Sequence, residues 1–240
     1  MAAKAELLWG PTSRLDQARP KTLADEAFLK IRDDILRGLL APGEKLQPDL
    51  LRERYAIGVS PVREALSRLA ADGLTVAEGQ RGFFVAPISL GELDDITDIR
   101  IDLSVKALDR SIQFGDEEWE TQLVGASYQL DKLLRPVKEN PAAFYDDWER
   151  RNRAFHGALG GGCRSPWLIH LCEVLYDQSE RYRRQSSVNV QPKLELHEEH
   201  HLIMDAALKR DSATACAILS EHIRLGAGAV RERMGRTLAR

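Results

Sequence analysis

Apolar positions along the chain fall into two regimes that meet near Pro87. Before it, Phe28, Ile31, Ile35 and Leu39 recur at helical spacing, and Gly38 with Pro42-Gly43 closes that helix. A short helix beginning near Pro48 presents Leu50, Leu51 and Tyr55. A third, Ser60 to about Asp72, buries Val62, Ala65, Leu66 and Leu69. Ser60 is positioned to cap it, with Pro61 as its first helical residue, where a missing N–H costs nothing. Gly73 ends this helix. Two short β-patterned runs, Leu74–Val76 and Phe83–Ala86, then flank Gly79-Gln80-Arg81-Gly82 as a ribbon.

Beyond Pro87 the period is helical almost throughout. The stripes are Leu93/Ile96/Ile99/Leu103, Trp119/Leu123/Ala126/Leu130/Leu133, Phe144/Trp148/Phe155/Leu159, Leu168/Leu171/Leu175, Leu196/Ile203/Ala207 and Ile218/Leu219/Leu225. Prolines, Gly160-Gly161-Gly162 and Asp211 punctuate them. The expected fold is mainly α. Residues 1–22 form a flexible tail without sustained period, 23–87 a winged helix-turn-helix, and 88–240 an all-α bundle of about six helices.

Composition narrows the function classes. Of 240 residues, 43% are hydrophobic and 30% charged, which excludes wholesale disorder, and no apolar run reaches membrane-spanning length. The amino terminus lacks the apolar core of a secretory signal, and three cysteines without paired spacing suit a reducing compartment, so a cytoplasmic protein is expected. Net charge is −3, and residues 21–87 balance ten basic against ten acidic side chains. A broad basic footprint is therefore missing, and nucleic-acid binding must rest on local features.

Those features are specific. One α-helix fits the major groove, and the third helix turns Ser60, Arg63, Glu64 and Ser67 away from its apolar stripe. Arg81 and Gly82 occupy the ribbon tip, where an arginine can enter the minor groove and a glycine permits close approach. The competing reading is a small packed domain with an arginine on a solvated face. The run Gly38-Leu39-Leu40-Ala41-Pro42-Gly43-Glu44-Lys45-Leu46, then Pro61-Val62-Arg63-Glu64-Ala65-Leu66, Arg68-Leu69, Asp72-Gly73-Leu74 and Arg81-Gly82-Phe83-Phe84-Val85, resembles the GntR family of bacterial repressors. The resemblance implies that Arg63 contacts DNA and that Arg81-Gly82 is the wing tip. Asp49 and Gly58-Val59 stand where the family usually carries cations, which weakens phosphate binding and alters the operator.

Six histidines divide by helical position. His156, one turn after Asn152, shares the stripe of Trp148, Phe155 and Leu159. His200 shares the face of Leu196 and Ile203, and His222 lies between Leu219 and Leu225. His170 aligns with Glu173 and Asp177 and is expected to face water, while His197 and His201 flank the His200 stripe. Three inward imidazoles and an amide suit a divalent metal, zinc first, with nickel or iron as alternatives; buried structural histidines are the plain alternative. The cysteines read as small core residues.

Asn152-Arg153-Ala154-Phe155-His156, Glu199-His200 with Ile203 and Ala206, Asp211 and His222-Ile223 resemble the FadR subfamily, in the metal-binding branch of its FCD-type effector domain. The resemblance implies metal ligands at Asn152, His156, His200 and His222, with asparagine replacing the branch's usual aspartate. Four neutral ligands leave the ion's charge uncompensated, which favours an anionic effector such as a small carboxylate metabolite. Arg100 is a candidate to hold it, or else a surface or dimer-interface cation. The combined expectation is a homodimeric repressor on double-stranded operator DNA, responsive to effector and not an enzyme. A metal-dependent hydrolase built on the three histidines is the alternative, and an inert helical scaffold the third reading.

Overall fold

A computed structural model describes residues 20–186 and 195–238. The expected tail lies outside the described residues up to position 19. The described residues hold ten helices and three short strands, and they divide into two compact units. One takes in the chain up to Ile99 with the later stretches that begin at Val174 and Ile223. The other takes in Arg100–Glu173 and the stretch that ends at His222.

The first unit begins with α1 (Leu23–Leu36), fixed by a reciprocal cap. The Asp25 amide donates to Thr22 Oγ1 at 3.0 Å, and the Thr22 amide donates to the Asp25 carboxylate at 3.1 Å. Gly38, at φ +74°, reverses the chain, so Leu39 points to solvent and Leu40 enters the core. That corrects the helical stripe expected through Leu39. α2 (Pro48–Tyr55) starts on its proline and ends at Ala56 in the left-handed region. Leu51 is buried, whereas Leu50, expected beside it, is exposed.

α3 (Val59–Ala71) has its first helical residue two positions earlier than expected. Gly58 occupies the cap without a side-chain hydrogen bond, so Ser60 lies inside the first turn rather than capping it. Pro61 remains among the first turn's orphan amides, where it costs no intrahelical bond. β1 (Lys45–Leu46), β2 (Thr75–Ala77) and β3 (Phe83–Val85) form an antiparallel sheet in the order β1-β3-β2, with Thr75 opposite Val85 and Leu46 opposite Phe83. β1 joins the two strands that the sequence pattern predicts. Ile31, Leu66, Leu69 and Leu74 are fully buried in the common core, each contributing about 2–3 kcal/mol by burial.

The same unit contains the later part of α8 (Pro166–Ser186), which meets the three-helix core through polar contacts. The Asp177 carboxylate accepts two hydrogen bonds from Arg32 of α1, and Gln178 donates to the Asp72 carbonyl at 2.7 Å. Arg181, fully buried, donates to the carbonyls of Ala86 and Pro87 at 3.2 and 3.4 Å and pairs with Glu92. Tyr182 bonds the same Glu92 carboxylate, and burial with that contact pushes its hydroxyl up to about 12. Leu93, Ile96, Tyr182, Val230 and Met234 form a small core beneath these contacts.

The second unit is helical. It comprises α4 (Leu90–Phe114) from Arg100, α5 (Glu117–Asp131), the six-residue α6 (Leu134–Glu139), α7 (Pro141–Gly160), the start of α8, α9 (Glu195–Leu208) and α10 (Ser212–Leu238) through His222. Trp119, Leu123, Leu130, Phe155, Leu159, Ile203 and Leu219 are buried as their stripes predict. Leu171 is instead exposed, as are Ile99 and Leu225 in the first unit, although each falls on its helix's apolar stripe. The side chains of Leu196 and His197 lie outside the described residues. His170 corrects the expectation of a solvated face. It is half-buried against Trp167, its Nδ1 shielded from solvent, and Glu173 and Asp177 are both buried.

Candidate functional site

Two sets of side chains stand out, one in each unit. In the first unit, the amino-terminal half of α3 leaves Ser60, Arg63, Glu64 and Ser67 exposed while Val62, Ala65 and Leu66 are fully buried. The outward face thus carries one unburied arginine flanked by hydroxyls. Ser67 Oγ donates to the Arg63 carbonyl at 3.1 Å, which fixes its rotamer against the helix. At the wing, Gly79–Arg81 forms a single 3-10 turn and Gly82 adopts φ +95° with open space around it. Arg81 is exposed, paired with Glu78, and lies 5.3 Å from the Phe84 ring centroid. Its guanidinium is therefore held at the tip by an acid and an aromatic face.

In the second unit, α7, α9 and α10 bring His156, His200 and His222 together. One nitrogen from each lies within 4.8 Å of the others. His200 and His222 are buried, and their Nε2 atoms approach to 3.1 Å. The His156 ring lies 5.4 Å from that of His200 and 5.3 Å from that of His222, between centroids. Phe155, beside His156 on α7, packs on His200 at 4.7 Å and closes the apolar side of the cluster. Asn152, one turn before His156, is also buried. Each of these helices bears an apolar stripe, and the stripe carries its histidine into the cluster.

The donor set fits a divalent metal. Two imidazoles on one zinc at about 2.0–2.1 Å would stand about 3.3 Å apart in tetrahedral geometry and about 2.9 Å apart in octahedral geometry. The 3.1 Å separation of the two Nε2 atoms falls between these. The third imidazole, His156, completes the set with a nitrogen within 4.8 Å of the other two.

One functional side chain escaped the sequence reading in this role. Glu199 Oε2 lies 2.8 Å from His222 Nδ1, and burial with the nearby Glu221 pushes the Glu199 carboxyl above the usual carboxylate range. Glu199 and His222 are far apart in sequence, so no spacing announces the pair. Arg100 is buried on α4, within electrostatic reach of Cys172 on α8. Burial raises the Cys172 thiol to about 11 against the opposing pull of Arg100. An exposed cation at position 100 is thereby excluded for this chain by itself. Cys163 is wholly buried and Cys172 and Cys216 half-buried, all three as free thiols.

A winged three-helix unit with an arginine-bearing third helix, in one chain with a helical unit, is the architecture of a helix-turn-helix regulator. Comparison with known proteins gives the family. Residues 23–85 match the gntR family of bacterial regulatory proteins, and residues 95–225 match the FCD domain. The chain is 38% identical to the HTH-type transcriptional regulator BphR of Paraburkholderia xenovorans, over 90% of its own length and 88% of BphR. It is 35% identical to the HTH-type transcriptional repressor GlaR of Escherichia coli, over 82% of the chain and 91% of GlaR. Among solved structures, E. coli McbR/YncC superposes with a TM-score of 0.76 at 21% identity, covering 90% of this chain and all of McbR. A GntR regulator from a Rhodococcus species gives 0.70 at 18% identity, covering 86% and 96%. The last two share the fold.

The chain belongs to the GntR family and carries an FCD domain. It is a transcriptional regulator with an amino-terminal helix-turn-helix and a carboxy-terminal effector domain. Among the described residues, no helix is long and apolar enough to cross a membrane.

Proposed function

We propose that this regulator is a cytoplasmic homodimeric repressor whose FCD domain holds a divalent metal and, on it, a small carboxylate that changes the grip on the operator. The observation that carries this reading is the convergence of three imidazoles from three helices, two of them with Nε2 atoms 3.1 Å apart. Asn152, His156, His200 and His222 are the ligands in this reading, and zinc is the preferred ion, ahead of nickel and iron. When bound, the metal supplies a Lewis-acidic anchor for an anion. A largely buried set of neutral ligands leaves positive charge to be balanced, and a metabolite carboxylate balances it. Arg100 is the proposed second anchor for that carboxylate.

On DNA, α3 enters the major groove with Ser60, Arg63 and Ser67 facing the duplex, and Arg81 and Gly82 take the wing into the minor groove. Two copies are needed, because one recognition helix reads few base pairs and paired half-sites multiply affinity and specificity. The repressor assignment draws on the relative named as one. A non-catalytic role accords with relatives that are regulators. Glu199, the carboxylate beside the cluster, is engaged by His222 rather than left to act as a hydrolase base.

A thermal-shift screen of small organic acids, with zinc and with a chelator, tests the reading. Ligands of the native state raise Tm by mass action. Zinc should raise it, at least one acid should raise it further only when zinc is present, and that acid should change operator affinity in fluorescence anisotropy. Failure of the protein to retain any divalent metal stoichiometrically would overturn it.

A further inference from the structure

We infer that Glu199 is the positioning carboxylate of the histidine cluster: it holds the proton of His222 on Nδ1, turns Nε2 toward the ion, and supplies from outside the ligand set the negative charge that Asn152 lacks. The inference rests on the metal reading proposed above. The geometry is a 2.8 Å contact between Glu199 Oε2 and His222 Nδ1. An ionised carboxylate only accepts hydrogen bonds, so Nδ1 must donate. In the neutral ring this leaves a lone pair on Nε2. The same choice explains the second contact: without an ion, His200 Nε2, 3.1 Å away, can donate to it, and that proton leaves when both nitrogens take up an ion. Both nitrogens that face one another across α9 and α10 are thus ordered by one side chain.

Three features make Glu199 more than a neighbour. His222 is buried and the Glu199 side chain is 24% exposed, so the bond is partly screened from competing water. Glu199 precedes His200 in α9, so the backbone that places one ligand also places the partner of another. An imidazole bonded to a carboxylate is also a more basic donor, and removal of such a partner lowers metal affinity about 10–100-fold. With a neutral amide at position 152, this carboxylate brings a negative charge into hydrogen-bond contact with a ligand.

The test compares the full-length wild type with Glu199→Gln and Glu199→Leu, using zinc as the probe in competition with a chromophoric chelator. Glutamine can still accept the Nδ1 proton but carries no charge; leucine does neither. Zinc Kd should rise stepwise, about tenfold or less for Gln and about 10–100-fold for Leu. Nitrogen-15 chemical shifts of labelled histidine, taken without metal, should show His222 protonated on Nδ1 in the wild type and in Glu199→Gln, with that population lost in Glu199→Leu. Circular dichroism melting confirms that the variants fold, and the glutamine variant remains informative if leucine does not. If Glu199→Leu binds zinc within threefold of wild type with an unchanged tautomer, the inference fails while the metal reading stands. If the wild type binds no divalent ion, both fall.

Discussion

Arg32 of α1 donates two parallel hydrogen bonds to the carboxylate of Asp177 on α8, a pair whose side chains are 16% and 1% exposed. Breaking a pair this deeply buried strands the survivor. Arg32→Ala leaves the more buried partner, the carboxylate, and is expected to cost roughly 3–5 kcal/mol, while Asp177→Ala should cost less because the guanidinium retains access to water. Arg32→Leu with Asp177→Leu should recover much of either loss. Denaturant melts in a double-mutant cycle measure this, and strictly additive losses would mean the two side chains are not coupled.

Arg63 is exposed on α3, away from the apolar core, so the proposed role in DNA binding can be tested apart from stability. Arg63→Ala should abolish operator-specific binding in an anisotropy titration. Its stability should remain within about 0.5 kcal/mol of wild type, as is usual for surface positions. Operator affinity like that of the wild type would remove Arg63 from the reading face.

The cap of α1 predicts a pH dependence. The hydrogen bond from Arg68 chiefly, with the Thr22 contacts, holds the Asp25 carboxyl below its ordinary value of 3.8, against a smaller opposing effect of burial. A depressed folded-state value means the unfolded chain takes up the proton first. The contribution of Asp25 is therefore complete well above pH 3.8 and fades as pH falls toward the depressed value. The stability difference between wild type and Asp25→Asn should shrink across that acid range and stay flat near neutrality. Thr22→Ala should cost about 1 kcal/mol at neutral pH by loss of the cap.

Two glycines should respond to alanine with opposite signs. At Gly115 a Cβ would fall 2.3 Å from the Trp119 ring and 2.5 Å from the Ser111 carbonyl. Trp119 is buried and donates through Nε1 to the Ala158 carbonyl at 2.9 Å, so it cannot step aside. Gly115→Ala should destabilise by about 1–3 kcal/mol through overpacking. Gly125 lies inside α5 with open space around it, and Gly125→Ala should stabilise by about 0.5–1 kcal/mol. Thermal denaturation of the two variants, side by side, reads both effects.

The fold was legible where periodicity and turn chemistry agree. Val62, Ala65, Leu66 and Leu69 mark α3 at regular spacing, and all four are buried. The pattern misleads where a local backbone reversal cuts a stripe, as Gly38 does between Ile35 and Leu39, or where a run of leucines leaves the register open, as at Leu50 and Leu51. The three histidines could be found because each rides an apolar stripe. Glu199, Asp177 and Arg181 could not, since their partners, His222, Arg32 and the Ala86 and Pro87 carbonyls, lie far away in sequence. Polar side chains at 8% exposure or less, such as Glu173 and Asp177, look like a solvated face when only spacing is available. Long-range hydrogen bonds reverse that assignment.

Arg181 has consequences for protein engineering. A single guanidinium, wholly enclosed, gathers two carbonyls of the strand-to-helix linker and the first-turn carboxylate of α4. Inserting or deleting one residue there would shift those acceptors out of its reach. Hybrid biosensors that graft one relative's DNA reader onto another's sensor are naturally spliced at the linker, near Pro87. In this chain that seam cuts through a shared hydrogen-bond knot, so a working chimera must carry residues 174–186 along with the reader.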